Sequence, residues 1–117
     1  MTDRELLEAA ARAAGIDGEY RTERICDRGD WLDITAIFTS DGMGWWNPLT
    51  DDGDAMRLAV AHGMEVDTST EDQIAVNVGA IGVREWVMSD RLAATRRAIV
   101  RAAAAMPLAA PAAATGA

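Results

Sequence analysis

Polar and apolar positions change period several times along this chain, and each change predicts an element. After Thr2, Leu6, Ala10 and Ala13 recur at helical spacing, and Leu7 and Ala14 widen the stripe. Thr2 with Glu5 three residues on fits a capping box, in which each side chain satisfies a backbone amide of the first turn. Gly15 can take the left-handed conformation that ends a helix, and Ile16 can then fold back onto the last turn. The pattern predicts a helix over Asp3–Ala14.

A period of two follows. Residues 20–26 alternate weakly and suggest a short edge strand. Trp31 to Phe38 alternate clearly, with Leu32, Ile34, Ala36 and Phe38 on one face and Trp31, Asp33, Thr35 and Ile37 on the other. SDGMG breaks this strand. A helix over residues 52–62 comes next, then two segments, QIAVNV and VREWVM, joined by a GAIG connection short enough for a hairpin. In the second segment Val83, Glu85 and Val87 share a face, and Arg84, Trp86 and Met88 lie opposite.

The last helix is capped by Ser89 or Asp90. Leu92, Thr95, Ile99, Ala103 and Met106 form its apolar stripe, with Val100 at the margin. Arg97 and Arg101 project from the opposite side, Arg96 flanks the stripe, and Pro107 stops the helix. The order is helix, one or two strands, helix, two or three strands, helix. That is an α+β chain: a mostly antiparallel sheet of three to four strands layered with three helices as an α/β/α sandwich. Residues 1–106 form one domain, and the Ala/Pro-rich residues 107–117 are expected to be a disordered tail.

Composition narrows the function classes. The 117-residue length supports one domain and needs neither disulfide nor metal to fold. Net charge is −8, which repels nucleic acid and anionic membrane unless the charges are segregated. They are segregated: all nineteen acids lie at or before Asp90, while Arg91, Arg96, Arg97 and Arg101 follow without one. Either the last helix neutralises the acidic body by packing on it, or it holds a positive face for a partner. Cys26 is alone, MTDRELLEAA lacks the apolar run of a signal peptide, and no segment approaches a membrane span. The expected setting is the cytoplasm, with no membrane association.

Candidate chemistry concentrates in WWNPLTDDGDAMRLAVAHGM, Trp45 to Met64. Pro48 forces Asn47 into an extended or turn conformation, so Trp45 and Trp46 end an extended segment and point to opposite faces. Both are buried only if both sides of the sheet are covered there; otherwise one indole faces solvent as a binding anchor. Asp51, Asp52 and Asp54 suit a helix N-terminus, with Asp51 as cap and Asp54 at the third helical position. The twelve-residue calcium-loop pattern fails, because the third position from Asp51 is Gly53 and the twelfth is His62. His62 suits the end of its helix, and with one histidine and one cysteine a zinc site would need two carboxylates. No metal, no cofactor and no catalytic set is expected.

The run WNPLTDDGDAMRLAVAHGM, with MTDRELLEAAARAAGI and RRAIVRAAAA, resembles the phage ABA-sandwich domain family, small proteins from phages and prophages of Proteobacteria. The three stretches cover nearly half the chain. The resemblance implies an α/β/α layered domain and brings no established site residues. From it, and from the missing catalytic set, the expected function is a non-catalytic phage accessory protein that binds a host or phage macromolecule, such as an inhibitor of a host defence system. A protein partner is expected through Trp45, Trp46, Asn47, Trp86, Arg97 and Arg101, and an exposed Trp45 or Trp86 would serve a homodimer equally. The alternative is a small-ligand or nucleotide-binding domain, with the tryptophan pair as stacking surface. Direct nucleic-acid binding through Arg97 and Arg101 would be weak and salt-sensitive.

Overall fold

The computed structural model describes residues 1–42 and 44–107. The tail expected at 107–117 lies, from residue 108 on, outside the described residues. The element order is α1 (Asp3–Ala14), β1 (Gly18–Asp27), β2 (Asp30–Thr39), β3 (Trp45–Trp46), α2 (Asp52–His62), β4 (Glu65–Asp67), β5 (Gln73–Val78), β6 (Ile81–Trp86) and α3 (Arg91–Ala104). This is an α+β fold.

The helix ends follow from their caps. Thr2 and Glu5 form the full capping box, and Gly15, at φ 71°, closes α1 so that the Ile16 amide donates to Ala11 O at 2.9 Å. Asp51 caps α2 and Asp90 caps α3, accepting from Leu92 N and Ala93 N.

Among the described residues six strands are present where one sheet of three to four was expected, and they divide into two antiparallel sheets, β1-β2-β3 and β4-β5-β6. The additional strands are the short β3 and β4, which pair with β2 and β5, and two-residue turns tighten and lengthen the two expected hairpins. Arg28 and Gly29 both have positive φ, the primed turn whose twist matches a hairpin, so β1 and β2 pair without a bulge from Asp27↔Asp30 back to Gly18↔Thr39. The weak strand expected at 20–26 is therefore ten residues long, held by its partner rather than by its own pattern. Gly18 sits where a Cβ would lie 2.5 Å from Phe38 O, so only glycine can begin this strand. In the second hairpin, Gly79 and Ala80 are the whole turn, and Ile81 and Gly82 join the strand expected to start at Val83.

One core holds the elements together. Leu6, Leu7 and Ala10 of α1, Ile37 and Trp46 of the first sheet, Leu58 of α2, and Ile74 and Val76 of β5 belong to it. α3 touches α1, α2, β5 and β6, and this central position changes its buried stripe. Ala94, Ala98, Ile99, Val100, Ala102 and Ala103 are buried, whereas Leu92, expected inside, is 60% exposed. Alanine lets three neighbours approach the helix closely, and a leucine at its first turn falls beyond them. Similarly, Ala36, Ile37 and Phe38 are all buried, so the base of β2 is covered on both faces while its far half, Trp31 to Asp33, is exposed on both.

Candidate functional site

The tryptophan pair splits. β3 aligns Trp46 with Ile37 and Trp45 with Phe38, so the two indoles take opposite faces of the sheet. Trp46 is 8% exposed in the core, and Trp45 is 50% exposed. The Trp45 ring stands 6.1 Å from that of Phe38, tilted by 47°, and the Arg21 guanidinium lies 4.8 Å above the Phe38 ring.

Asn47, next in the chain, is buried and joins the sheet to α2. Its Nδ2 donates to Thr35 O at 2.8 Å, and its Oδ1 accepts from Leu49 N at 2.9 Å, an Asx turn across the buried Pro48. Its backbone N–H donates to Asp54 Oδ2 at 2.9 Å, and its carbonyl accepts from Asp51 N. The N-P-L-T-D-D-G-D run is thus a connector that fixes where α2 begins.

All three aspartates have partners. Asp51 Oδ2 accepts from Asp54 N at 2.8 Å, the expected cap. Asp54, besides the Asn47 amide, pairs with Arg57 at 2.7 Å, and Asp52 pairs with Arg96 of α3 at 2.6 Å. Arg96 also donates to Leu49 O, so α3 and the connector are locked together. Among the described residues no group of three or more histidine, cysteine or acidic side chains is arranged to hold a metal ion.

Between the connector, the hairpin and the start of α1 lies an open groove of about 720 Å³. Trp45, Asn47 and Leu49 form one wall, Asp33, Ile34 and Thr35 of β2 another, and Asp51, Asp54 and Arg57 an end; Asp3, Leu7 and Tyr20 complete it. Beyond the two β3 residues, β2 has no strand on this side among the described residues. Thr35 O receives the Asn47 side chain and the Thr39 amide donates to Gly44 O, so the odd-numbered positions of β2 turn their backbone toward the groove side. By that alternation, Asp33 and Trp31 present unpaired N–H and C=O groups there. The groove therefore offers a free strand edge, one half-exposed indole, and four aspartates already paired with three arginines: Asp3 with Arg97, Asp33 with Arg24, and Asp51 and Asp54 with Arg57.

The other expected residues lie elsewhere. Trp86, 60% exposed on β6, lines a shallow hollow with Met88 and Arg97. Arg97 pairs with Asp3 at 2.9 Å, and Arg101 reaches Glu85 at 2.6 Å and Arg84 O at 2.8 Å. These arginines hold α3 to α1 and β6, the neutralising arrangement rather than a free positive face. Sequence reasoning missed Asp33, Thr35 and Arg57 of the groove. Arg57, one turn after Asp54, carried a usable signal; Asp33 and Thr35 enter only through the long-range contact with Asn47.

Comparison with family models, curated proteins and solved structures finds no match to this chain. The family resemblance accordingly rests on the three quoted stretches alone. No helix among the described residues is long and apolar enough to cross a membrane.

Proposed function

We propose that this chain is a non-catalytic binding protein whose partner is a protein segment taken up in extended form along the groove edge of β2, beside Trp45. The observation that carries the reading is the unpaired backbone of β2 where it lines the groove under a half-exposed indole. Strand addition takes affinity from main-chain hydrogen bonds and specificity from side-chain pockets. Four aspartates against three paired arginines leave a slight acidic balance that favours a segment with basic residues. The stretches that resemble phage proteins support a setting in the cytoplasm of an infected or lysogenic bacterium, where occupying a host defence protein is one role for such a binder.

The same indole would serve the alternative, a nucleotide ligand, but Asp33, Asp51 and Asp54 oppose an anion, and the α2 amide that could receive one is already capped by Asp51. Selection of a random peptide library on the immobilised protein tests the first reading. Enriched peptides should alternate apolar and basic residues, and Trp45→Ala should weaken their binding roughly tenfold or more. Arg101→Ala, whose partners Glu85 and Arg84 O lie outside the groove, should leave binding unchanged. Failure to enrich, or binding indifferent to Trp45, would overturn the proposal, and quenching of tryptophan fluorescence by ATP or GTP would favour the alternative.

A further inference from the structure

The hairpin has a second open edge. β1 pairs with β2 on one side, and no strand covers the other among the described residues. Natural edge strands are commonly kept from pairing by proline, charged side chains, a bulge or shortness. β1 is ten residues long, regular in register with β2 and free of proline, and its charges, Glu19, Arg21, Glu23, Arg24 and Asp27, are of both signs, so they oppose a like-charged strand but not one of matching alternation.

Backbone direction limits how a further strand could join. The Ser40 amide donates to Asp17 O, and this pair continues the β1–β2 register, so the odd-numbered positions of β1 bond inward to β2. The even positions, Tyr20, Thr22, Arg24 and Cys26, therefore turn their N–H and C=O groups outward. Two copies of β1 meeting antiparallel about a two-fold axis must match even positions with even.

We propose that this edge is a homodimer interface, with the two β1 strands paired about Thr22 so that both first sheets merge into one six-stranded sheet. The sequence Tyr20-Arg21-Thr22-Glu23-Arg24 is complementary to itself in that register. Arg21 of each copy faces Glu23 of the other, and Tyr20, whose ring already carries the Arg4 guanidinium at 5.1 Å, faces Arg24. Arg21 already lies 2.9 Å from Glu23 within one chain, so the pairing assembles four alternating charges. The overlap runs over residues 18–26, and the Asp17–Asp27 encounters fall beyond its ends.

The neighbouring allowed registers are worse. An axis on Arg21, Glu23 or Arg24 sets that residue against its own copy, like charge to like. An axis on Ile25 opposes Glu23 to Asp27, and one on Tyr20 shortens the overlap to residues 18–22. This self-complementarity identifies the occupant as a second copy rather than a foreign strand.

Sedimentation velocity over a range of concentrations, with light scattering for mass, tests the interface. The wild type is expected at twice the 12.5 kDa chain mass. Thr22→Pro removes an amide that β2 does not use, so the circular dichroism should stay native while the dimer is lost. Arg21→Glu or Glu23→Arg alone should weaken association roughly tenfold. The combined Arg21→Glu/Glu23→Arg change, which restores opposite charges, should recover it. A wild type that stays monomeric to millimolar concentration would overturn the proposal, as would a dimer indifferent to Thr22→Pro. The groove lies along the other edge of the hairpin, but Tyr20 lines it and Thr22 bonds to its Thr35 at 2.7 Å, so the charge variants at Arg21 and Glu23, which do not line it, are the ones that separate loss of dimerisation from loss of peptide binding.

Discussion

Replacing Asn47 by alanine strands two groups at once, the Thr35 carbonyl and the Leu49 amide, which its side chain satisfies at 2.8 and 2.9 Å. Each buried polar group left alone costs about 1–3 kcal/mol, so Asn47→Ala should destabilise by about 2–4 kcal/mol in urea unfolding. Trp45, by contrast, is half exposed with one aromatic neighbour, and Trp45→Ala should cost only about 1 kcal/mol. The contrast separates scaffold from surface within three residues of sequence. A Trp45→Ala protein as unstable as Asn47→Ala would show that the indole is structural and remove the anchor from the groove.

At the scale of elements, the start of α2 and the buried face of α3 each make a test. Asp51→Ala removes the cap on the Asp54 amide and should cost about 1 kcal/mol without disturbing the core. In α3 the apolar pattern and the observed packing disagree, which gives a sharper test. Val100 is fully buried and Leu92 mostly exposed, so Val100→Ala should cost about 1.5–3 kcal/mol and Leu92→Ala less than about 0.5 kcal/mol. The reverse ranking would restore the stripe read from periodicity.

The reason for that disagreement also explains what the sequence could and could not disclose. Caps and periodicity act within a few residues, so Thr2, Glu5, Gly15, Asp51 and Asp54 place α1 and the start of α2 correctly. The position of α3 between two other helices and a sheet is a long-range fact, and its alanines look neutral until their neighbours are known. β1 was faint because its charges mask alternation, and it gains its length from ten pairings with β2. Of the site, Trp45 as one exposed member of a pair was legible from alternation before a proline turn. The groove itself was not, because its β2 wall meets the connector through Asn47 and Thr35, twelve residues apart.

Across the whole molecule, charge acts as a tie between distant segments. α3 supplies arginines to acids on three other elements: Arg97 to Asp3 of α1, Arg96 to Asp52 of α2, and Arg101 to Glu85 of β6. Exposed pairs of this kind are individually weak, but all of them require ionised carboxylates. Two carboxylates outside these ties, Glu5 and Asp67, carry depressed pKa values in the fold. Glu5 is lowered chiefly by the Thr2 backbone hydrogen bond, from an ordinary value of 4.5, and Asp67 chiefly by the Ser69 side-chain hydrogen bond, from 3.8. A carboxyl whose folded value lies below its unfolded one binds fewer protons when folded. Its contribution is complete above the unfolded value and is lost as pH falls through the folded one. The urea midpoint should therefore hold near neutrality and decline progressively below about pH 5. Glu5→Gln and Asp67→Asn, each of which removes a titrating group while keeping an acceptor oxygen, should make that decline shallower. A midpoint that falls equally steeply in both variants would show that neither carboxylate is linked to the acid transition.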